Sequence, residues 1–484
     1  MKFQILPQSK FILVTAVFFA SHTMSAQSSM DSIFVLNDTI QTLSLDEFYK
    51  VVLNNHPVVK QANLLNEMAQ QEIRLARGNF DPKLASSFNT KEFEDKTYYS
   101  KLDANLTYPT WFPINPKVGY QRNVGELVNN EDVIDGESQL YAGVSIPIGR
   151  GLFTDERRTA VRQAQLFTDI ATADQVKIIN KILLDAAKDY WQWYNAYYQY
   201  RLSNQAVVIA REIFTRIKVT MEQGEAAEID TVQAKITFQT RLVDRQEALL
   251  NFLNTSILIS NYLWDAEGNP LQLEGSVAPI ATAGDIDFLQ NELLENLVLQ
   301  AKQNHPDLIK LSVKLNQLEL ERSLAREFLK PQLDLNYFML SQPGGLSELD
   351  PLNDYKVGVD FSFPLFLRKE RSKVALAKLK IENTTYQRSQ AEREIINQIN
   401  STFNEVRNTR LIVLQQDEVV RLYDRLLAAE MLNLENGESD LFKINIQQEK
   451  LLEAQSKLLK LTSDIQKQKA LLYWAAGSNL SGNQ

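Results

Sequence analysis

The chain has 484 residues, only 17 glycines and 14 prolines, no cysteine and a formal net charge of −9. Without thiols there can be no disulfide, iron–sulfur cluster, thiol catalysis or lipidated N-terminal cysteine. The mild acidity, with no Lys/Arg-rich block, argues against a nucleic-acid partner. Stretches rich in Leu, Gln, Asn, Glu, Lys and Ala favour long helices over several compact globules.

Residues 1–26 read as a signal peptide. Lys2 and Lys10 supply positive charge, and Phe11–Ala20 is an apolar run too short to span a bilayer. Cleavage is expected after Ala26. It would remove His22 and those two lysines, the only charges in the segment, taking −9 to −11. Residues 27–44 form an N-terminal extension. No later stretch offers 18 consecutive apolar residues. If the exported chain enters a membrane, a closed β-barrel is the spanning structure left to it.

A first unit covers residues 45–270. "NNHPVV" opens a helix at His56 and Pro57, since proline in a first helical turn needs no N–H partner and the preceding asparagine is a good cap. From Pro82 to Pro147 come four strand-like segments: KLASSFNTKEF, YYSKLDANLTYP, PKVGYQRN and SQLYAGVSIPI. Tyr98, Tyr99, Tyr108, Trp111, Phe112 and Tyr141, with Tyr337, Phe338 and Tyr355 further on, are candidates for an interfacial aromatic girdle. The stretch from Phe153 to Gln223 has no proline or glycine and predicts a helix on the order of 100 Å long. Its Arg157, Arg158 and Arg162 read as a solvated first turn. Its aromatic run Asp189–Tyr200 reads as helix packing, or as a belt where helices meet strands. Gly224 ends this helix in a left-handed residue. Beyond it, Ile229, Ile236, Val243, Leu250, Ile257 and Trp264 repeat every seven residues, a coiled-coil seam.

After a linker (271–284), a second unit covers 285–477 in the same order, leaving a tail at 478–484. "QNHPDL" places His305 and Pro306 where the first unit has His56 and Pro57, and at that spacing Pro331 falls on Pro82. Strand-like PQLDLNYFML and YKVGVDFSFPLF run to Pro364, which corresponds to Pro147. In the second of these, Val357, Val359, Phe361 and Phe363 alternate with polar or small residues. Arg368 to Asn436 is again free of proline and glycine, Gly437 corresponds to Gly224, and Ile444, Leu451, Leu458, Ile465 and Leu472 form a second heptad. The two heptads differ in phase, which implies different neighbours for the two stripes. Repetition on this scale points to two tandem copies of one unit. The first strand region is about twice as long as the second, with TYPTWFPINPKVGYQRN as an extra hairpin.

In their order, repeated twice behind a signal peptide, these features resemble the TolC-type outer-membrane efflux proteins, over about Leu43 to Gly477. The resemblance implies a mainly α fold with β: a long α-helical coiled-coil cylinder plus a shared antiparallel transmembrane β-barrel, with two structural repeats per protomer. It implies a homotrimer in outer-membrane lipid, a passive conduit working with a periplasmic adaptor and an inner-membrane pump. The tips would dock the adaptor and form the entrance, which singles out Gly224, Glu225, Asp230, Gly437, Glu438, Asp440 and Lys443. Members often carry an acid six positions after the tip glycine. Asp230 fits, but Lys443 stands there in the second copy, with Glu438 and Asp440 as the nearest replacements. Carboxylates at both tips, including Glu222, Glu228 and Glu435, would favour cations if symmetry converged them.

No nucleophile–base–orienter set, P-loop, GxGxxG or metal cluster is present, so no enzyme activity, cofactor or metal is expected. His56 and His305 are isolated single histidines, read as helix openings rather than ligands. The competing reading is a periplasmic adaptor or scaffold with helical hairpins.

Overall fold

The computed structural model describes residues 41–134, 136–224, 227–275, 277–280, 291–341, 350–436 and 438–478. The expected signal peptide, Glu225, Gly437 and parts of the linker and tail lie outside them.

The first half begins with a short strand, β1 (Gln41–Ser44), and helix α1 (Leu45–Asn55). Ser44 and Glu47 close a capping box: Ser44 Oγ accepts from the Glu47 N–H at 3.3 Å, and the Glu47 carboxylate accepts from the Ser44 N–H at 2.9 Å. His56 and Pro57 break the chain into α2 (Pro57–Arg77). Four antiparallel strands follow, β2 (Lys83–Phe93), β3 (Lys96–Thr107), β4 (Asn115–Val124) and β5 (Ser138–Pro147). A two-residue turn at Glu94–Asp95, both with φ near +55°, joins β2 to β3. Then come α3 (Glu156–Glu222), α4 (Glu228–Ser260) and β6 (Val277–Ile280), which pairs in parallel with β1.

The second half runs α5 (Asn291–Asn304), α6 (Pro306–Glu327), β7 (Gln332–Ser341), β8 (Tyr355–Ser362), α7 (Arg368–Glu435) and α8 (Leu441–Ala475). The 67 residues of α3 and 68 of α7 each extend on the order of 100 Å, as the runs without proline or glycine predict.

Six strands form one antiparallel sheet in the order β2-β3-β4-β5-β7-β8. The helices beside it pack in the order α2-α3-α6-α7, and those toward the tips in the order α4-α3-α8-α7. The chain is thus a wall four helices wide that continues into six strands. At the junction, Ile148 N–H donates to the Leu333 carbonyl at 2.7 Å and Arg150 N–H to the Pro331 carbonyl at 2.9 Å, knitting the two halves together.

The main core lies at mid-length of α3. Tyr190, Trp191, Trp193, Tyr194 and Tyr197 are buried there against Phe48, Val52, Phe252 and Ile259. The Tyr190 hydroxyl lies 2.7 Å from the Leu43 carbonyl and 2.8 Å from that of Ile280, and so pins β1 and β6 to α3. Trp193 Nε1 donates to Ser256 Oγ at 3.0 Å. The aromatic run is therefore helix packing. Its place halfway down α3 corrects the expectation of a belt where helices meet strands. A second cluster joins Leu297 and Ala301 of α5 to Ile399, Phe403 and Val406 of α7 and to Ile465 and Leu472 of α8.

Candidate functional site

Three features have functional form: the two faces of the sheet, the bare edges of the protomer, and the tips. Strand pairing fixes which residues share a face of the sheet. One face carries Leu84 and Phe88 of β2, Leu102 and Leu106 of β3, Val118 and Tyr120 of β4, Leu140, Val144 and Ile146 of β5, Leu333, Leu335 and Tyr337 of β7, and Val357, Val359 and Phe361 of β8. Much of it is bare: Leu84, Phe88, Val359 and Phe361 are all more than half exposed. The other face carries Ser87, Asn89, Lys101, Asp103, Asn105, Lys117, Gln121, Ser145, Asp334, Asn336 and Asp360. Such a contiguous apolar surface on strands of about ten residues has the form of a lipid-facing wall.

Tyr141 and Phe338 lie on the polar face, not in a girdle, which corrects the expectation for them. A Cβ on Gly119 would overlap the Tyr141 ring, and one on Gly143 would overlap Phe338. Each aromatic therefore covers a glycine of the neighbouring strand. The alternation Leu140, Ala142, Val144 already puts Tyr141 on the opposite side. Tyr108, Trp111 and Phe112 sit in the β3–β4 turn at the helical end of the sheet, where Trp111 packs on Phe80 at 5.4 Å. At the far end Tyr337 stacks on Tyr355 at 6.0 Å.

Arg162 is exposed, but Arg158 is buried, which overturns the reading of a solvated first turn for that residue. Its guanidinium donates to the carbonyls of Gly151 (2.6 Å) and Leu152 (3.1 Å) and to the Asp155 carboxylate (3.1 Å). It locks the link from β5 into α3. Arg157 donates to Asn115 Oδ1 at 3.2 Å and lies over the Phe80 ring.

The heptads separate sharply. On α8, Ile444, Leu451, Ile465 and Leu472 are buried within the protomer. On α4, Ile229, Ile236, Val243, Leu250 and Ile257 are 57–69% exposed. The helix ends at Ser260, so the seam stops before Trp264. Leu64, Met68 and Leu75 of α2 are bare too, as are Leu376, Leu379, Tyr386, Leu411 and Leu422 of α7. These are the outermost helices, so apolar stripes line both lateral edges of the helical wall.

At the first tip Gly224 has φ +84° with open space around it, and Asp230 sits in the first turn of α4, its N–H donating to the Ala227 carbonyl at 3.1 Å. At the second, Glu438 N–H donates to the Asn433 carbonyl at 2.8 Å, closing the end of α7. Asp440 caps α8, its carboxylate accepting from the Lys443 N–H at 2.9 Å. The Glu438 and Lys443 side chains are exposed.

His56 and His305 do open helices, with one correction: the histidine is the cap, not the asparagine before it. His56 Nδ1 accepts from the Val58 N–H at 3.1 Å, and His305 Nδ1 from the Asp307 N–H at 3.2 Å. Asn55 donates elsewhere, to the Trp264 carbonyl at 2.8 Å. Each ring meets the segment just past the return helix of its own half, His56 against Trp264 and His305 against Gly477. Burial lowers the pKa of both, opposed at His305 by Asp307. Pro57 and Pro306 follow at the first helical position. Pro82 and Pro331 precede β2 and β7, Pro147 ends β5 and Pro364 follows β8.

Among the described residues no three His, Cys, Asp or Glu side chains are grouped as metal ligands, and no helix is long and apolar enough to cross a membrane.

Residues 297–478 match the model of the outer membrane efflux protein family. The fold is close to those of solved outer membrane proteins. It matches the Campylobacter jejuni CmeC outer membrane channel with a TM-score of 0.63 at 15% identity, over 91% of this chain and 87% of that one. For the outer membrane protein VceC of Vibrio cholerae the values are 0.64, 15%, 90% and 96%. The chain resembles the outer-membrane efflux channels, by sequence in its second half and by fold along its length. The open state of the Neisseria gonorrhoeae MtrE outer membrane channel gives a TM-score of 0.62 at 13% identity, over 90% of this chain and 89% of that one. A comparison with curated proteins returned no match. CmeC and MtrE are outer membrane channels.

Proposed function

We propose that the chain is the outer-membrane duct of a tripartite export system, a passive conduit from periplasm to exterior. Three copies would close side by side. Within a protomer α3 and α8 have neighbours on both sides, whereas α4 and α7 each lack one. The same holds for α2 and α7 nearer the sheet, and for β2 and β8 within it. The free side is the same at every level, and its helices carry bare apolar stripes. This coincidence carries the reading. The α4 stripe of one copy would pack on α7 of the next, and β8 of one would pair with β2 of the next. An open sheet edge is untenable in lipid, so the six-stranded sheet requires such closure.

In this reading residues 45–270 and 285–477 are two tandem repeats, and the signal peptide directs export of a chain whose barrel lies in the outer membrane. The helices form a periplasmic cylinder whose tips, around Gly224, Glu225, Asp230, Gly437, Glu438, Asp440 and Lys443, meet a periplasmic adaptor joined to an inner-membrane pump. Glu438 is free to act on passing ions, whereas the Asp440 carboxylate is engaged as a cap.

Fractionation and mass test the proposal. The protein should co-sediment with outer membranes, run in detergent at three times the protomer mass, and conduct ions in planar bilayers. A soluble monomer that leaves bilayers silent overturns it. Neutralising Glu438 should weaken cation preference, and an unchanged preference removes the acidic entrance.

A further inference from the structure

The segment expected as an extra hairpin falls on the β3–β4 turn and β4, and the strands without a counterpart in the second half are β2 and β3. We infer that this extra β2–β3 hairpin is part of the transmembrane wall, so that the closed barrel has eighteen strands. The inference rests on the trimer proposed above. The second half supplies one hairpin, β7–β8. Were the first half built alike, each copy would bring four strands and three copies twelve. The sheet instead holds six, and three times six is eighteen.

Three observations place the additional strands in the wall rather than in an external loop. The first is continuity. β3 pairs with β4 over Ser100–Thr107, eight residue pairs, the same number as β7 with β8. The β3–β4 turn returns at the helical end, beside Phe80 and Arg157, so β2 and β3 cover the same height as the other strands.

The second is chemistry. β2 and β3 obey the parity of the rest: Leu84, Phe88, Leu102 and Leu106 continue the apolar face, while Ser87 and Asn89 continue the polar one. An external loop, wet on both sides, has no reason to hold that alternation in phase with its neighbours across every strand.

The third is a tie across strands. The Tyr141 hydroxyl on β5 reaches over Gly119 of β4 to the Asp103 carboxylate of β3 on the polar face. The extra hairpin is anchored to the sheet by a buried side chain as well as by its ladder.

Strand number sets bore. With strands about 4.8 Å apart and tilted about 40°, eighteen close at a backbone diameter of roughly 36 Å, and twelve at roughly 24 Å. The duct should therefore accept wider solutes at its outer mouth than a barrel with one hairpin per repeat.

The chain has no cysteine, so single cysteines can be read against an empty background. Ser87→Cys, Asn89→Cys, Phe88→Cys and Leu102→Cys would be made in the full-length protein and reconstituted in liposomes. A charged, membrane-impermeant maleimide should label positions 87 and 89 at least tenfold faster than 88 and 102. A lipid-borne spin label should quench fluorophores at 88 and 102 only. Equal labelling of all four in a trimer overturns the eighteen-stranded wall and leaves the duct reading standing. A monomer overturns both. As an independent measurement, deleting residues 83–114 joins Pro82 to Asn115 with strand direction kept. The deletion trimer should exclude smaller neutral polymers from its outer mouth than the intact trimer does. An unchanged exclusion size also overturns the inference.

Discussion

The Tyr141 hydroxyl donates to a carboxylate oxygen of Asp103 at 3.1 Å, spanning from β5 across β4 to β3. It can do so because Gly119, beneath the ring, has no side chain. Tyr141→Phe keeps the ring and loses the bond, and should cost about 1–2 kcal/mol. Gly119→Ala forces the ring off its strand and should cost about 1–3 kcal/mol, as overpacking does. Tyr141→Ala in the Gly119→Ala background should cost less than the two single changes together. Denaturant unfolding of the detergent-solubilised protein checks all three.

The histidine caps make stability depend on pH. Each Nδ1 must be unprotonated to accept its backbone N–H, and burial lowers the pKa of both rings in the fold. Their contribution is therefore fully present above about pH 6.5, the unfolded value. It is lost as pH falls below that toward the lowered folded values. Replacing both histidines with asparagine, which also caps helices, should flatten unfolding midpoints between pH 7.5 and 5. An undiminished pH dependence in the double variant would show that other groups cause it.

The two heptads should fail differently. Ile236→Asp with Leu250→Asp adds charge to a stripe that the protomer leaves bare. The expected result is dissociation of the proposed trimer with helical circular dichroism retained, read by light scattering. Ile465→Ala, in a fully buried position on α8, should instead destabilise the protomer itself by about 2–4 kcal/mol.

At the second tip, Asp440→Ala removes the cap of α8 and should speed amide exchange over its first turn, around Lys443. Glu438→Gln touches no cap and should leave exchange there unchanged. Hydrogen-exchange mass spectrometry on the tip peptides separates the two carboxylates.

Much of this architecture is legible in the sequence because its signals are long. Two runs of roughly 70 residues without proline or glycine become α3 and α7 almost to the residue. The strand-like segments read from the sequence fall on all six strands of the sheet, with alternation plainest in β8. Other features escape because they depend on partners the sequence does not name. Nothing in "DERR" says that the Gly151 and Leu152 carbonyls will fold back onto Arg158. The α4 and α8 stripes look equivalent as heptads, and only the packing of α8 on α3 separates them. The histidine caps go unseen because Asn is the commoner cap. The glycine-covering role of Tyr141 was available from strand parity, obscured by reading every aromatic as interfacial.

The Arg150–Pro331 junction, where helices pass into strands, has a consequence for how the proposed assembly fits together. Three copies of a four-helix wall form a ring of twelve helices, and at 8–10 Å between axes its circumference is roughly 110 Å. Eighteen tilted strands about 4.8 Å apart also measure roughly 110 Å around, whereas twelve would reach only about 75 Å. Helical and stranded storeys then meet at equal girth, and the tube passes from one to the other without a constricting collar.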